Sequence, residues 1–419
     1  MYKNRRVVIT GMGVISPIGN SISAFRDALL SGSCGITELE LGEGKEYEGI
    51  NVRVAGQVKD FKATEHGLTP QEERRSDKFS QFALAASLQA LEDSGLKLDE
   101  NIDSERAGVY VGSGIGGIST LIQQSKIMFE NGGGMVSPLF VPMMISNIGG
   151  ANVAIRIGAK GPCLTQVSAC ATGTNAIGEA FLAIQRGDAD VILAGGSEAA
   201  INPLALGGFQ NARALSTETD PSKACLPFDS RRSGFVMGEG AGIIVLEEYE
   251  HAISRNAHII AELAGYGNTC DAHHVTAPAP EGKQAARAMR IALEQAGYEA
   301  GESLYINAHG TGTHLNDSSE TKAIKIALGE DDARHAAISS TKSMTGHMLG
   351  AAGAVEAIAC AIAIEEGMIP PTIGLEERDP ECDLDYTPLK ARKMDVRFAM
   401  SNSLGFGGHN AAIVFKKVQ

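Results

Sequence analysis

No run of about eighteen apolar residues occurs in this 419-residue chain, which excludes a membrane-spanning helix. No block of lysines and arginines occurs, and the net charge is −14. Broad attraction to nucleic acid or to an anionic membrane surface is therefore not expected. The seven cysteines, at 34, 163, 170, 225, 270, 360 and 382, include no C-x-x-C pair. Their odd number and wide spacing fit reduced thiols better than a disulfide or zinc framework. Neither an H-E-x-x-H motif nor an acidic metal cage is present. The first residues lead straight into a strand-like Val7-Val8-Ile9-Thr10, and the expected location is cytoplasmic.

What remains is ordinary in bulk and unusual in glycine. Hydrophobic residues make up 43% and charged residues 21% of the chain, typical of a globular protein. Fifty residues are glycine, well above the usual ~7%, and they fall in short clusters between apolar runs. Such clusters read as tight turns and close backbone packing. β-type runs at 107–111, 189–194 and 242–246 alternate with helical stretches at 78–94, 174–186, 283–297, 317–328 and 350–366. This alternation is the signature of an α/β fold. Residues 238–246 resemble 407–415, 170–187 can be laid over 350–367, and 110–116 echo 306–312, in the same order in both halves. A duplication into two α/β halves is the simplest reading.

One glycine cluster, Gly112-Ser113-Gly114-Ile115-Gly116-Gly117, follows a strand and imitates a dinucleotide loop. No acidic residue ends a second strand about 20 residues on, as nucleotide binding would require, so the loop is read as packing.

Three other turns carry chemistry. Cys170 lies in Val167-Ser168-Ala169-Cys170-Ala171-Thr172-Gly173, between a β-like 164–167 and a helix burying Ala176, Ile177, Ala180, Phe181 and Ile184. That places a thiol at a helix N-terminus, where free N–H groups favour the thiolate and can stabilise an adjacent oxyanion. A small buried hydrophobe is the alternative reading. His309 follows the apolar Leu304-Tyr305-Ile306-Asn307 and precedes Gly310-Thr311-Gly312-Thr313, at a strand end where α/β folds place ligands. His347 closes Lys342-Ser343-Met344-Thr345-Gly346-His347, just before a helix of very small residues. Glu356, inside that apolar helix, needs a buried partner, and Lys342 or a cation would serve. A thiol with two imidazoles suits acyl chemistry: sulfur carries the acyl group and N–H donors stabilise a negative oxygen.

These three turns, with Asn402-Ser403-Leu404-Gly405-Phe406-Gly407-Gly408, resemble those of the β-ketoacyl-[acyl-carrier-protein] synthases of the thiolase superfamily, in the synthase II type of bacterial fatty acid synthesis. The resemblance runs from Arg5 to Lys417, essentially the whole chain. It implies a thiolase-like α/β fold, with two duplicated halves, 1–258 and 259–419, packed as an α-β-α-β-α layered sandwich. It implies Cys170 as the acyl-carrying nucleophile, and His309 and His347 as binders of the malonyl thioester carbonyl and the enolate formed on decarboxylation. The N–H groups of Cys170 and Phe406 would form the oxyanion hole, with Phe406 as gate and Lys342 and Glu356 supporting the histidines. Ile115 would line the deep end of the acyl pocket, Thr311 and Thr313 would touch the phosphopantetheine arm, and Thr276 would also bind substrate. Arg74, Arg75 and Arg213 would dock an acidic acyl-carrier protein, in a patch weakened by Gln71, where some members have lysine. His409 stands where some members have threonine, and is not read as a third catalytic imidazole. The resemblance further implies a homodimer formed at sheet edges near the cysteine helix, no cofactor beyond the phosphopantetheine thioesters, and a possible cation near Asn307, Glu356 and Asn402.

Rival readings differ at particular residues. A chain-length factor of polyketide systems would lack Cys170, a thiolase would carry a second cysteine within 395–419, and the synthase III pattern would replace one histidine by asparagine. A thiol hydrolase would pair cysteine with a histidine oriented by Asn or Asp, and release free acid.

Overall fold

The computed structural model describes residues 5–42 and 44–418. Ten strands form one continuous sheet: β1 (Val7–Ile15), β2 (Ala107–Gly112), β3 (Cys163–Leu164), β4 (Val191–Glu198), β5 (Gly240–Glu248), β6 (Ala261–Cys270), β7 (Leu304–Asn307), β8 (Ala337–Ser339), β9 (Phe398–Gly405) and β10 (His409–Lys416). Their spatial order is β8-β7-β9-β10-β6-β1-β5-β4-β2-β3.

That order is the same motif written twice. Taking each half's five strands in chain order, both run 3-2-4-5-1 from the outer edge inward. In both, the fifth strand is antiparallel to its two neighbours, and the outer three are parallel. The two first strands meet antiparallel at the centre, with Val7 opposite Leu263 and Ile9 opposite Ala261. The three sequence echoes therefore have a physical counterpart in strand order and direction.

Helices fill three layers. Helix α1 (Lys78–Ser94) and α3 (Ile148–Ile157) cover the outer face of the first half, with α2 (Ile118–Asn131) beyond β2. Helix α5 (Lys283–Ala296) covers β6 and β10 of the second half and packs on α6 (His314–Leu328). Between the halves lie α4 (Thr172–Arg186) and α7 (Ala352–Glu366), each touching strands of both. The result is the thiolase-like, five-layered α-β-α-β-α sandwich. Small residues make the middle layer possible: a side chain at Gly173 would strike the Ala354 backbone, and one at Gly242 the backbone between Ala354 and Val355. Thirteen consecutive residues of α7, Ala352 to Ile364, are buried. A helix apolar all round belongs inside a protein. No helix among the described residues is long and apolar enough to cross a membrane.

Two expected strands shift. The run at 189–194 begins instead at Val191, with the Asp190 backbone bonded to Arg106 and Glu248 at the strand's start and its carboxylate paired with Arg5 and Arg106. The β-like 164–167 is strand only over Cys163–Leu164. There the Thr165 hydroxyl donates to the Val111 carbonyl at 3.1 Å, where a continuing strand would offer a backbone N–H.

Candidate active site

The turns that follow the parallel strands carry the sequence-predicted residues: Ile115 comes after β2, Cys170 after β3, His309 after β7, His347 after β8 and Phe406 after β9. A cavity of about 330 Å³ opens among them, lined by Cys170, His309, His347, Phe406, Thr276, Thr311 and Thr313. Three distant turns thus share one wall, as expected of ligand sites at strand carboxyl ends.

Cys170 sits in a single 3₁₀ turn, Ala169–Ala171, that runs directly into α4. Ala169 has φ 51°, a conformation that costs about 1–3 kcal/mol for a residue with a side chain. The turn is held there by the Ser168 N–H donating to Thr172 Oγ1 at 2.9 Å and by the Asn175 amide donating to Ser168 Oγ at 2.6 Å. The expected preference for thiolate is overturned. Burial pushes the thiol up to about 11, against the Lys342 charge and the backbone N–H groups of Phe406 and Cys170. Desolvation outweighs the helix end. Those same two N–H groups nevertheless converge on the sulfur, from β9's end and from the turn itself.

The imidazoles face each other edge to face, with centroids 5.3 Å apart and planes at 87°. Each is buried and leaves Nδ1 without a hydrogen-bond partner. Burial first, then the Lys342 charge, holds both well below the ordinary histidine value; both are neutral at pH 7. Lys342 is itself fully buried and ion-paired with Glu356 Oε1, the pairing expected from sequence. His347 is pinned by its backbone, N–H to Val236 O at 2.7 Å and carbonyl from the Gly238 N–H at 2.8 Å.

Three buried carboxylates near the site escape the sequence reading. Glu320 on α6 accepts the His309 N–H at 2.7 Å and the Gly310 N–H at 2.8 Å, and burial raises it to about 7. Asp317, one turn earlier, accepts from the N–H groups of Thr311, Gly312 and Phe228. Both sit with Ala323 and Ile324 among the buried residues of α6, and this sharing of an apolar face was the available signal. Glu198 ends β4 and is also fully buried.

Other predicted residues divide. Arg213 lines the cavity, whereas Arg74 and Arg75 are exposed at the end of a short helix, Pro70–Arg74, and do not line it. Arg75 and Gln71 instead border a separate groove with Asn152 and Arg156. Ile115 does not line the cavity either. It packs into the apolar cluster of Phe209, Phe235, Met237 and Leu349 that also receives Cys170. His409 starts β10 opposite Gly405 and stays outside the cavity wall. Among the described residues no group of three His, Cys, Asp or Glu side chains could hold a metal. Near Asn307 the oxygens Glu356 Oε2 and Asn402 Oδ1 are buried without partners.

Comparison with known proteins identifies the family. Residues 4–252 match the model of the beta-ketoacyl synthase N-terminal domain, and 260–376 that of the C-terminal domain. The chain is 50% identical over 419 residues to 3-oxoacyl-[acyl-carrier-protein] synthase 2 of Staphylococcus aureus, covering 100% of both chains. It is 49% identical over 418 residues to the protein of that name in Synechocystis, covering 100% of this chain and 99% of the other. A solved complex of a type II polyketide synthase acyl-carrier protein with its ketosynthase bound to a hexaketide is similar at a TM-score of 0.90 and 35% identity, with full coverage of both chains. By two domain matches and by identity along its whole length, the chain belongs to the β-ketoacyl synthase family of condensing acyltransferases.

Proposed function

We propose that the chain catalyses the elongating condensation of type II fatty acid synthesis. An acyl group passes from acyl-carrier protein to Cys170, and malonyl-carrier protein then loses CO2 and attacks it. The observation that carries this reading is one cavity lined by the thiol and by two neutral, buried imidazoles.

The thiol first attacks the acyl thioester carbonyl, and the negative oxygen is held by the N–H groups of Cys170 and Phe406. Collapse expels the carrier thiol and leaves the acyl-Cys170 thioester. The malonyl thioester then enters along Thr276, Thr311 and Thr313, and its carbonyl oxygen accepts from the two imidazoles. The bond to the carboxylate breaks, CO2 leaves, and the electron pair becomes an enolate stabilised by the same donors. The enolate carbon attacks the acyl carbonyl, sulfur leaves as the Cys170 thiolate and regains a proton from water, and the β-ketoacyl thioester departs on its carrier. Loss of CO2 drives the step, so no strong base is needed. Neutral imidazoles suit it, because a desolvated imidazolium is costly beside Lys342.

The reaction needs no cofactor beyond the phosphopantetheine of the carrier. The orphaned oxygens of Glu356 and Asn402 are hard donors of the kind a cation accepts, and with Asn307 they form the proposed structural cation site. Arg213 at the mouth, with Arg74 and Arg75 further out, is the proposed docking surface for the acidic carrier. A homodimer is proposed across β3, a two-residue edge strand whose flank leaves Leu164 and Val167 more than half exposed. An unpaired apolar edge is a template for pairing. The two halves, 1–258 with the nucleophile and 259–419 with both histidines, each supply one partner of the reaction. Incubation with acyl- and malonyl-carrier thioesters tests the reading. CO2 and a product two carbons longer support it; free acid alone identifies a hydrolase and overturns it.

A further inference from the structure

Glu198 is a buried carboxylate with no part in the steps above, yet it is the most heavily engaged acid near Cys170. Its Oε1 accepts from Ser113 Oγ at 2.9 Å and from the Ile115 N–H at 3.2 Å. Its Oε2 accepts from the Gly114 N–H at 2.9 Å and the Gly350 N–H at 3.0 Å. Burial raises Glu198, and the four hydrogen bonds oppose that shift; three of the four donors are backbone N–H groups, which cannot accept a proton, so the hydrogen-bond geometry fits the carboxylate form.

The donors come from opposite halves of the molecule. Ser113, Gly114 and Ile115 form the turn after β2; Gly350 lies in the 3₁₀ turn Leu349–Ala351 before α7. That second turn is the duplicated counterpart of the cysteine turn. Leu349 has φ 48°, as Ala169 has 51°, and each turn leads into a fifteen-residue helix. Gly350 stands where its twin carries Cys170, and its N–H meets a carboxylate where the Cys170 N–H meets sulfur.

Both turns bear on the reaction. Leu349 lines the cavity, and Ile115 packs into the same apolar cluster as Cys170. A side chain at Gly114 would meet Glu198 Oε2 at 2.8 Å and the Ala169 carbonyl at 3.4 Å, so the clamp abuts the residue before the nucleophile. The Glu198 charge also reaches the thiol, which it pushes upward. The histidines, by contrast, are braced by Glu320, Asp317 and the Val236–Gly238 segment.

We propose that Glu198 is a positioning residue for the acyl half of the reaction, clamping the 113–115 and 349–351 turns of the two halves together so that they form a fixed acyl wall beside Cys170. The inference rests on the condensing reading of the site. It separates acyl transfer to Cys170, which depends on Glu198, from malonyl decarboxylation, which does not.

The test measures both half-reactions in the full chain for Glu198→Gln and for the milder Ser113→Ala. Acylation of Cys170 is followed by intact mass with acyl-carrier donors of graded length, and decarboxylation by CO2 release from malonyl-carrier protein. In Glu198→Gln the charge is lost and, in either orientation, the amide N–H2 faces at least one backbone N–H donor, Ile115 or the pair Gly114 and Gly350, so the clamp loosens. The expected result is at least a tenfold loss in acylation, uneven across chain lengths, with decarboxylation within threefold of wild type. The pH midpoint of Cys170 alkylation should also fall, since a nearby negative charge is removed. Equal losses in both half-reactions, or an unchanged chain-length profile, overturn the proposal. If Glu198→Gln fails to fold, Ser113→Ala decides: a smaller shift of the same ratio supports the clamp, and an unshifted ratio overturns it. If the wild-type chain forms no acyl-Cys170, the condensing reading itself fails, which none of the variant outcomes mimics.

Discussion

Replacing Lys342 with methionine tests how the buried ion pair governs the site. The lysine side chain is 1% exposed and that of Glu356 3%, so removing one partner strands the other in the interior. The cost of breaking such a pair is about 3–5 kcal/mol, whereas an exposed pair is worth about 0–1 kcal/mol. Guanidinium unfolding of Lys342→Met should therefore show a loss in the larger range. The double variant Lys342→Met with Glu356→Gln should recover most of it, because no charge is then left uncompensated. The chemistry should not recover. Lys342 lowers both imidazoles, so without it His309 and His347 move up toward the ordinary histidine value. As pH falls, each then protonates earlier, and the acid limb of decarboxylation shifts to higher pH in single and double variants alike. A loss below about 1 kcal/mol for the single variant, or an unmoved acid limb, refutes this account.

His309→Ala and His347→Ala should each cut CO2 release at least a hundredfold while intact-mass labelling of Cys170 by an acyl donor survives. Ile115→Phe should shorten the longest accepted acyl chain, read by mass spectrometry of products, because Ile115 packs into the cluster that receives Cys170; an unchanged product length contradicts that placement. Leu164→Glu at the exposed β3 edge should convert a dimer to a monomer in light scattering, and a wild-type chain already monomeric contradicts the proposed interface.

Much of this site was legible in the sequence because its parts are local. Leu304–Asn307 is an apolar strand followed by glycines, so His309 at a strand end follows from pattern. The helix after Cys170 shows its buried face in Ala176, Ile177, Ala180, Phe181 and Ile184, all buried as expected. The duplication was visible as weak echoes, and strand order makes it plain. What was hidden depends on partners far along the chain. Nothing marks Glu198 as buried, and Asp317 and Glu320 are betrayed only by sharing a helix face with Ala323 and Ile324; the backbone donors that satisfy all three lie in other turns. Ala169 and Leu349 carry no sequence signal of a left-handed backbone, where glycine would have announced it. The thiol's upward shift was misjudged for a similar reason: a helix end is readable from sequence, but how far the sulfur is withdrawn from water is not.

The most direct measurement is made on Cys170→Ala, scored for both halves of the reaction in the same sample. The thiol and the imidazoles act on different bonds, so acyl transfer and condensation should vanish while malonyl-carrier protein still releases CO2. Condensation at the wild-type rate without the sulfur, or an acyl group mapped to another residue of the native chain, would contradict the assignment of the nucleophile.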